Sequence, residues 1–129
     1  MSAFARDDQG RLCAGGMPLG DIAASHGSPL YVYSGDGIRD DYRRFAAAVA
    51  PVDGSVHFAL KANSALGVIG LLARHGAGAD IVSGGEMARA LAAGIPAEKI
   101  VFSGVGKSAE EIGAALDAGI SQINAESPQ

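Results

Sequence analysis

Three stretches of the chain carry side chains whose type and placing could do chemistry. Lys61 directly follows an apolar run, Val56 to Leu60, and precedes Ala62 and Asn63. An amine held at the end of a buried strand is partly desolvated, and desolvation favours the neutral form that attacks a carbonyl. A lysine ending a strand is also an ordinary solvated residue, and on position alone that reading is the stronger. The second stretch, GAGADIVSGGE at 76–86, sets Asp80 inside an apolar segment and Glu86 just after it. A carboxylate beside an amine can orient a cofactor or transfer a proton. Each also has a structural task open to it: Glu86 completes a Ser-x-x-Glu capping pattern with Ser83, and Asp80 can accept backbone amides of the preceding turn. On the residues alone those structural tasks weigh more.

The third stretch, FSGVGKSAEE at 102–111, imitates two nucleotide motifs. Gly106-Lys107-Ser108 has the end of a phosphate loop, but the glycine required five positions earlier is Val101, so the spacing fails. Gly104-x-Gly106-x-x-Ala109 satisfies the relaxed dinucleotide fingerprint, with Glu126 lying 20 residues beyond Gly106. Against it, two strand-helix units precede the match, whereas the fingerprint normally opens its domain. A small nucleotide-binding α/β module using Gly104, Gly106 and Glu126 is the rival reading.

The elements that must position these residues follow a repeating rhythm. Residues 1–29 read as an N-terminal arm with one short helix, LGDIAASH, between Pro18 and Gly27. Leu30 to Tyr33 reads as a short strand, and Ser34 caps a helix whose apolar residues Ile38, Tyr42, Phe45 and Val49 keep the helical period until Pro51. Strands are then expected at Val56–Leu60, Ala79–Ser83, Ile100–Ser103 and Ile120–Ala125, separated by helices at Ala65–His75, Glu86–Ala93 and Ser108–Ala118. Ser83 with Glu86 and Ser108 with Glu111 are capping-box patterns. Alternating strands and helices imply parallel strands. The short, even spacing fits an α/β chain forming the N-terminal half of a (β/α)8 TIM-type barrel, about four βα units over residues 30–129. In such barrels functional groups sit at strand C-termini. That rule directs attention to Lys61, to Ser83 through Glu86 and to Ser103 through Ser108.

Composition narrows the classes. The chain has 129 residues, 48% of them apolar, enough for one folded domain with a modest core. A net charge of −4 without clustered Lys or Arg argues against a nucleic-acid or anionic-membrane partner. The apolar runs are too short for a membrane span and the N-terminus lacks a leader pattern, which reads as cytoplasmic. Cys13 has no second cysteine to pair with, and His26, His57 and His75 have no metal-ligand spacing.

Taken together, FALKANS at 58–64, GAGADIVSGGEMARALAAGIP at 76–96, IVFSGVGKSAEEI at 100–112 and GISQINAES at 119–127 resemble the N-terminal half of bacterial diaminopimelate decarboxylases, as does GSPLYVYSGDGIRDDYRRF at 27–45. Arginine, ornithine and carboxynorspermidine decarboxylases share the lysine motif and fold; the stretch from GVGKS to NAES favours the diaminopimelate enzymes. The resemblance implies an alanine-racemase-like barrel that uses pyridoxal 5'-phosphate, followed by a β-rich domain. It implies that Lys61 is the catalytic lysine that carries the cofactor through its amine, and that Asp80 and Glu86 line the cofactor site, while Lys107 stays structural. The implied reaction is loss of carbon dioxide from meso-2,6-diaminopimelate, a small amino-acid substrate, to give L-lysine, in a full-length homodimer. Because a complete barrel takes about 250 residues, the chain reads as a truncated piece, inactive alone, with the family's other site residues falling after residue 129. A cofactor-carrying relative without decarboxylase activity is a further reading of the same lysine.

Overall fold

The computed structural model describes residues 3–127, so the expected ends of the arm and of the chain, Met1 and Ser2 and then Pro128 and Gln129, lie outside the described residues. The chain divides into two compact units, Met1–Tyr42 and Arg43–Gln129.

The first unit holds a small antiparallel sheet in the order β1 (Phe4–Arg6), β2 (Leu12–Ala14), β3 (Met17–Pro18), followed by α1 (Leu19–His26). The turn from β1 to β2 closes on Asp7, whose Oδ1 accepts the amides of Gln9 and Arg11 at 3.0 and 2.9 Å. Ala14 pairs with Met17, so β2 and β3 are joined by Gly15 and Gly16 alone. Both glycines have positive φ, 55° and 82°, as a two-residue hairpin loop demands. The arm is therefore more than one helix: its strands of two or three residues stand outside the strand-helix rhythm that marks the rest of the chain. Leu30–Tyr33 is a second correction, since those residues carry no strand. Strand formers need a ladder partner, and none of the described strands pairs with them. Ser34 does cap α2 (Gly35–Val49), its Oγ accepting the amide of Gly37 at 3.2 Å.

The second unit is the repeating part. Four parallel strands lie in sequence order, β4 (His57–Ala59), β5 (Gly78–Ile81), β6 (Ile100–Phe102) and β7 (Gln122–Ile123), with α3 (Leu66–Arg74), α4 (Gly84–Ala92) and α5 (Ala109–Ala118) between them. Each expected element of this unit is present with ends shifted by a few residues. Strand alternation and the ladder register put Phe58, Ala79, Ile81, Ile100, Phe102 and Ile123 on one face, where they pack with Ile69, Met87 and Ala90 of the helices. Ala59, Gly78, Asp80, Val101 and Gln122 occupy the opposite face. Among the described residues, no helix is long and apolar enough to cross a membrane.

Candidate functional site

Lys61 lies in a single 3-10 turn, Leu60–Ala62, that begins where β4 stops. Leu60 is fully buried and fixes that turn, while Lys61 is exposed and its ammonium holds no hydrogen bond or ion pair among the described residues. Asn63 steers the chain onward: its amide bonds the carbonyl of Leu60 and its Oδ1 accepts the amide of Ala65, just ahead of α3. Asp80 is half-buried in the adjacent strand, its Cα opposite Ala59, two residues before Lys61. Both expected site residues thus belong to the C-terminal end of neighbouring strands.

Asp80 is also the end of a side-chain chain that crosses the sheet. Ser103, the first residue after β6, donates from Oγ to Asp80 Oδ1 at 2.6 Å. Asn124, the first residue after β7, donates from Nδ2 to Ser103 Oγ at 3.0 Å. A cavity of about 380 Å³ in this unit, lined by His57, Gly78, Val101 and Gln122, lies at the opposite, N-terminal end of the strands and includes neither Lys61 nor Asp80.

Glu86 is absorbed by the start of α4. Its amide bonds Ser83 Oγ at 3.2 Å and its Oε2 accepts the amide of Val82 at 2.8 Å, so its carboxylate closes the turn from β5 into the helix. Glu111 caps α5 with Ser108 in a full capping box and also takes the amide of Gly84 at 2.8 Å. The Gly84 amide foremost, then the Ser108 amide, holds the Glu111 carboxyl below its ordinary value.

The profile of a family described as pyridoxal-dependent decarboxylase, pyridoxal binding domain, matches residues 36–129. The chain belongs to this family. Diaminopimelate decarboxylase of Pseudomonas fluorescens is 54% identical over 118 residues, which is 92% of this chain and 28% of that protein. A crystal structure of an Aquifex aeolicus protein superposes with a TM-score of 0.91 at 42% identity, covering 97% of this chain and 31% of its own. Diaminopimelate decarboxylase of M. jannaschii, crystallised with L-lysine, gives 0.90 at 36% identity over 96% of this chain and 30% of its own. The chain therefore spans under a third of the length of these relatives. Its α/β fold is the N-terminal part of their barrel.

Membership in a pyridoxal-binding decarboxylase family asks for an amine that can meet an aldehyde and for polar groups around it. The residues present fit: Lys61 supplies an exposed primary amine without a partner among the described residues, and Asp80 a carboxylate oriented by a hydroxyl at the same strand ends. The geometry speaks against the dinucleotide alternative. Glu126 Oε1 accepts the amide of Gly104 at 3.0 Å, so the acidic residue closes the glycine loop on itself instead of standing free for a ribose hydroxyl. Lys107 is structural as expected, bonding the carbonyls of Gly104 and Asn124 and lying over the Phe102 ring. The strand-end rule brings Ser103 into view without a role, and Asn124 opens the NAES stretch of the resemblance with no site role attached to it.

Proposed function

We propose that the protein is the lysine-bearing part of a pyridoxal-phosphate-dependent decarboxylase that converts meso-2,6-diaminopimelate to L-lysine in the cytoplasm, the last step of lysine biosynthesis. The observation that carries this reading is the exposed amine of Lys61 directly after β4, one strand from the hydrogen-bonded carboxylate of Asp80. The identity of 54% with the Pseudomonas fluorescens enzyme supports the choice of substrate.

In this reading Lys61 holds the cofactor through Nζ, Asp80 presents a carboxylate that can hold a cationic nitrogen or a proton, and Glu86 keeps the loop between them and α4 in shape. When bound, pyridoxal phosphate supplies the sink for the electron pair left as the substrate carboxylate departs as carbon dioxide. A proton replaces that carboxylate, giving one lysine and one carbon dioxide. The rest of the barrel, a β-rich domain and the groups that hold the phosphate and the substrate carboxylates come from the remainder of a longer, homodimeric chain, with no nucleic-acid or membrane partner.

The test uses the full-length protein loaded with pyridoxal phosphate. Carbon dioxide released from meso-diaminopimelate with matching formation of lysine, and not from ornithine or arginine, is the expected result. Release only from ornithine or arginine would move the protein to a different substrate within the fold, and release from none of them would overturn the decarboxylase reading.

A further inference from the structure

We infer that Ser103 is a positioning residue for Asp80 and that Asn124 sets the direction in which it acts; this rests on the cofactor reading above. The polarity of the chain is fixed by counting protons. A carboxylate has no proton to give, so the bond between Ser103 and Asp80 takes the Ser103 proton and leaves Ser103 Oγ to accept from Asn124 Nδ2 at 3.0 Å. A serine hydroxyl has one proton and accepts with its lone pairs. With Asn124 donating to it, Ser103 spends that proton on Asp80 Oδ1, at 2.6 Å, the separation of a hydroxyl on a carboxylate. Both bonds from Asn124 onward run the same way and end on one oxygen.

The backbone holds this chain in place. Ser103 bonds the carbonyl of Ile81 at 2.8 Å, and Asn124 bonds that of Phe102 at 2.9 Å, so each side chain leaves a residue pinned to the next strand. Lys107 ties the carbonyl of Asn124 at 2.6 Å to the loop after β6. The consequence is a division of labour within one carboxylate. Oδ1 is spoken for by Ser103, whereas Oδ2 accepts no hydrogen bond among the described residues and is the oxygen offered to a ligand at the strand ends.

The experiment uses the full-length protein and reads its dissociation constant for pyridoxal phosphate and the absorbance band of the bound cofactor, alongside the Tm of the cofactor-free form. Ser103→Ala should weaken binding about tenfold, the order expected of one hydrogen bond to a charged group, and displace the band. Ser103→Thr, which keeps the hydroxyl, should restore both. Asn124→Asp, an acceptor that competes for the one Ser103 proton, should weaken binding with little change in volume. In an Asp80→Ala background, Ser103→Ala should change nothing further. Unaltered affinity and absorbance in Ser103→Ala, or an equal loss in the Asp80→Ala background, overturns the inference while leaving the cofactor reading intact. If Ser103→Ala does not fold, unaltered affinity in Asn124→Asp overturns it instead. A wild-type protein that binds no cofactor overturns both readings together.

Discussion

The carboxylate of Glu111 spans two helices: one oxygen takes the amide of Gly84 at the start of α4 and the other takes the amide of Ser108 at the start of α5. Glu111 lies 27 residues from the first donor and 3 from the second, so a local cap has become a tertiary tie. It anchors the loops that leave β5 and β6 at the end of the sheet where Asp80 and Ser103 meet.

Glu111→Gln replaces one accepting oxygen by an amide that faces an N–H, and Tm should fall at neutral pH. The sign with pH follows from the depressed carboxyl of the folded state. Stability from this group is fully present above the unfolded carboxyl value of about 4.3 and is lost as pH falls through the lower folded value. The wild-type and Glu111→Gln melting curves should therefore converge in acid. A constant gap in Tm from neutral to strongly acidic pH would contradict the tie.

Lys107 does comparable work between the loops after β6 and β7. Lys107→Met keeps most of the stem but leaves the carbonyls of Gly104 and Asn124 without their donor and removes a cation 5.7 Å from the Phe102 ring centroid. A loss of about 1–3 kcal/mol is expected, with faster amide exchange at Gly104 and Asn124. Exchange that accelerates everywhere except there would place the defect elsewhere.

What the sequence made legible follows the range of each signal. The strand-helix rhythm from Val56 onward and the caps at Ser83 and Ser108 are local patterns found where expected, although the capping box is complete only at Ser108: at Ser83 the Glu86 carboxylate takes the amide of Val82 in place of that of Ser83. β1 to β3 are as short as β4, β6 and β7 but stand outside the strand-helix rhythm that marks those, so a local reading passes over them. Leu30–Tyr33 shows the converse, since β-forming residues without a ladder partner stay unpaired. Ser103 on Asp80 joins residues 23 apart, which no local pattern encodes. The Gly104, Gly106 and Glu126 fingerprint was half informative: Glu126 does reach Gly104, but to fill its amide.

Two glycines should respond in opposite directions to the same added methyl. A Cβ at Gly78 would lie 2.5 Å from His57 Nδ1 and 2.5 Å from the carbonyl oxygen of Lys99. The ring can turn, but the carbonyl belongs to the backbone, so Gly78→Ala should cost about 1–3 kcal/mol. Gly113, inside α5, has nothing within 4 Å of its would-be Cβ. Gly113→Ala should stabilise by about 0.5–1 kcal/mol. Urea midpoints shifting down for the first and up for the second, at constant m-value, check both.

Leu60 and Lys61 are neighbours with separable roles. Leu60 is fully buried in the core cluster, and Leu60→Ala should cost about 2–5 kcal/mol through lost contacts and a residual cavity. Lys61 touches no partner among the described residues, so Lys61→Ala should alter stability by less than about 0.5 kcal/mol. Its effect belongs to chemistry. In the full-length protein, borohydride reduction followed by mass spectrometry should find the cofactor mass on the wild-type peptide containing Lys61 and on no peptide of Lys61→Ala, with carbon dioxide release lost as well. Arginine keeps the charge but offers no amine able to bond an aldehyde, so Lys61→Arg should behave like Lys61→Ala. Activity retained in Lys61→Arg would mean that positive charge alone is what this position contributes.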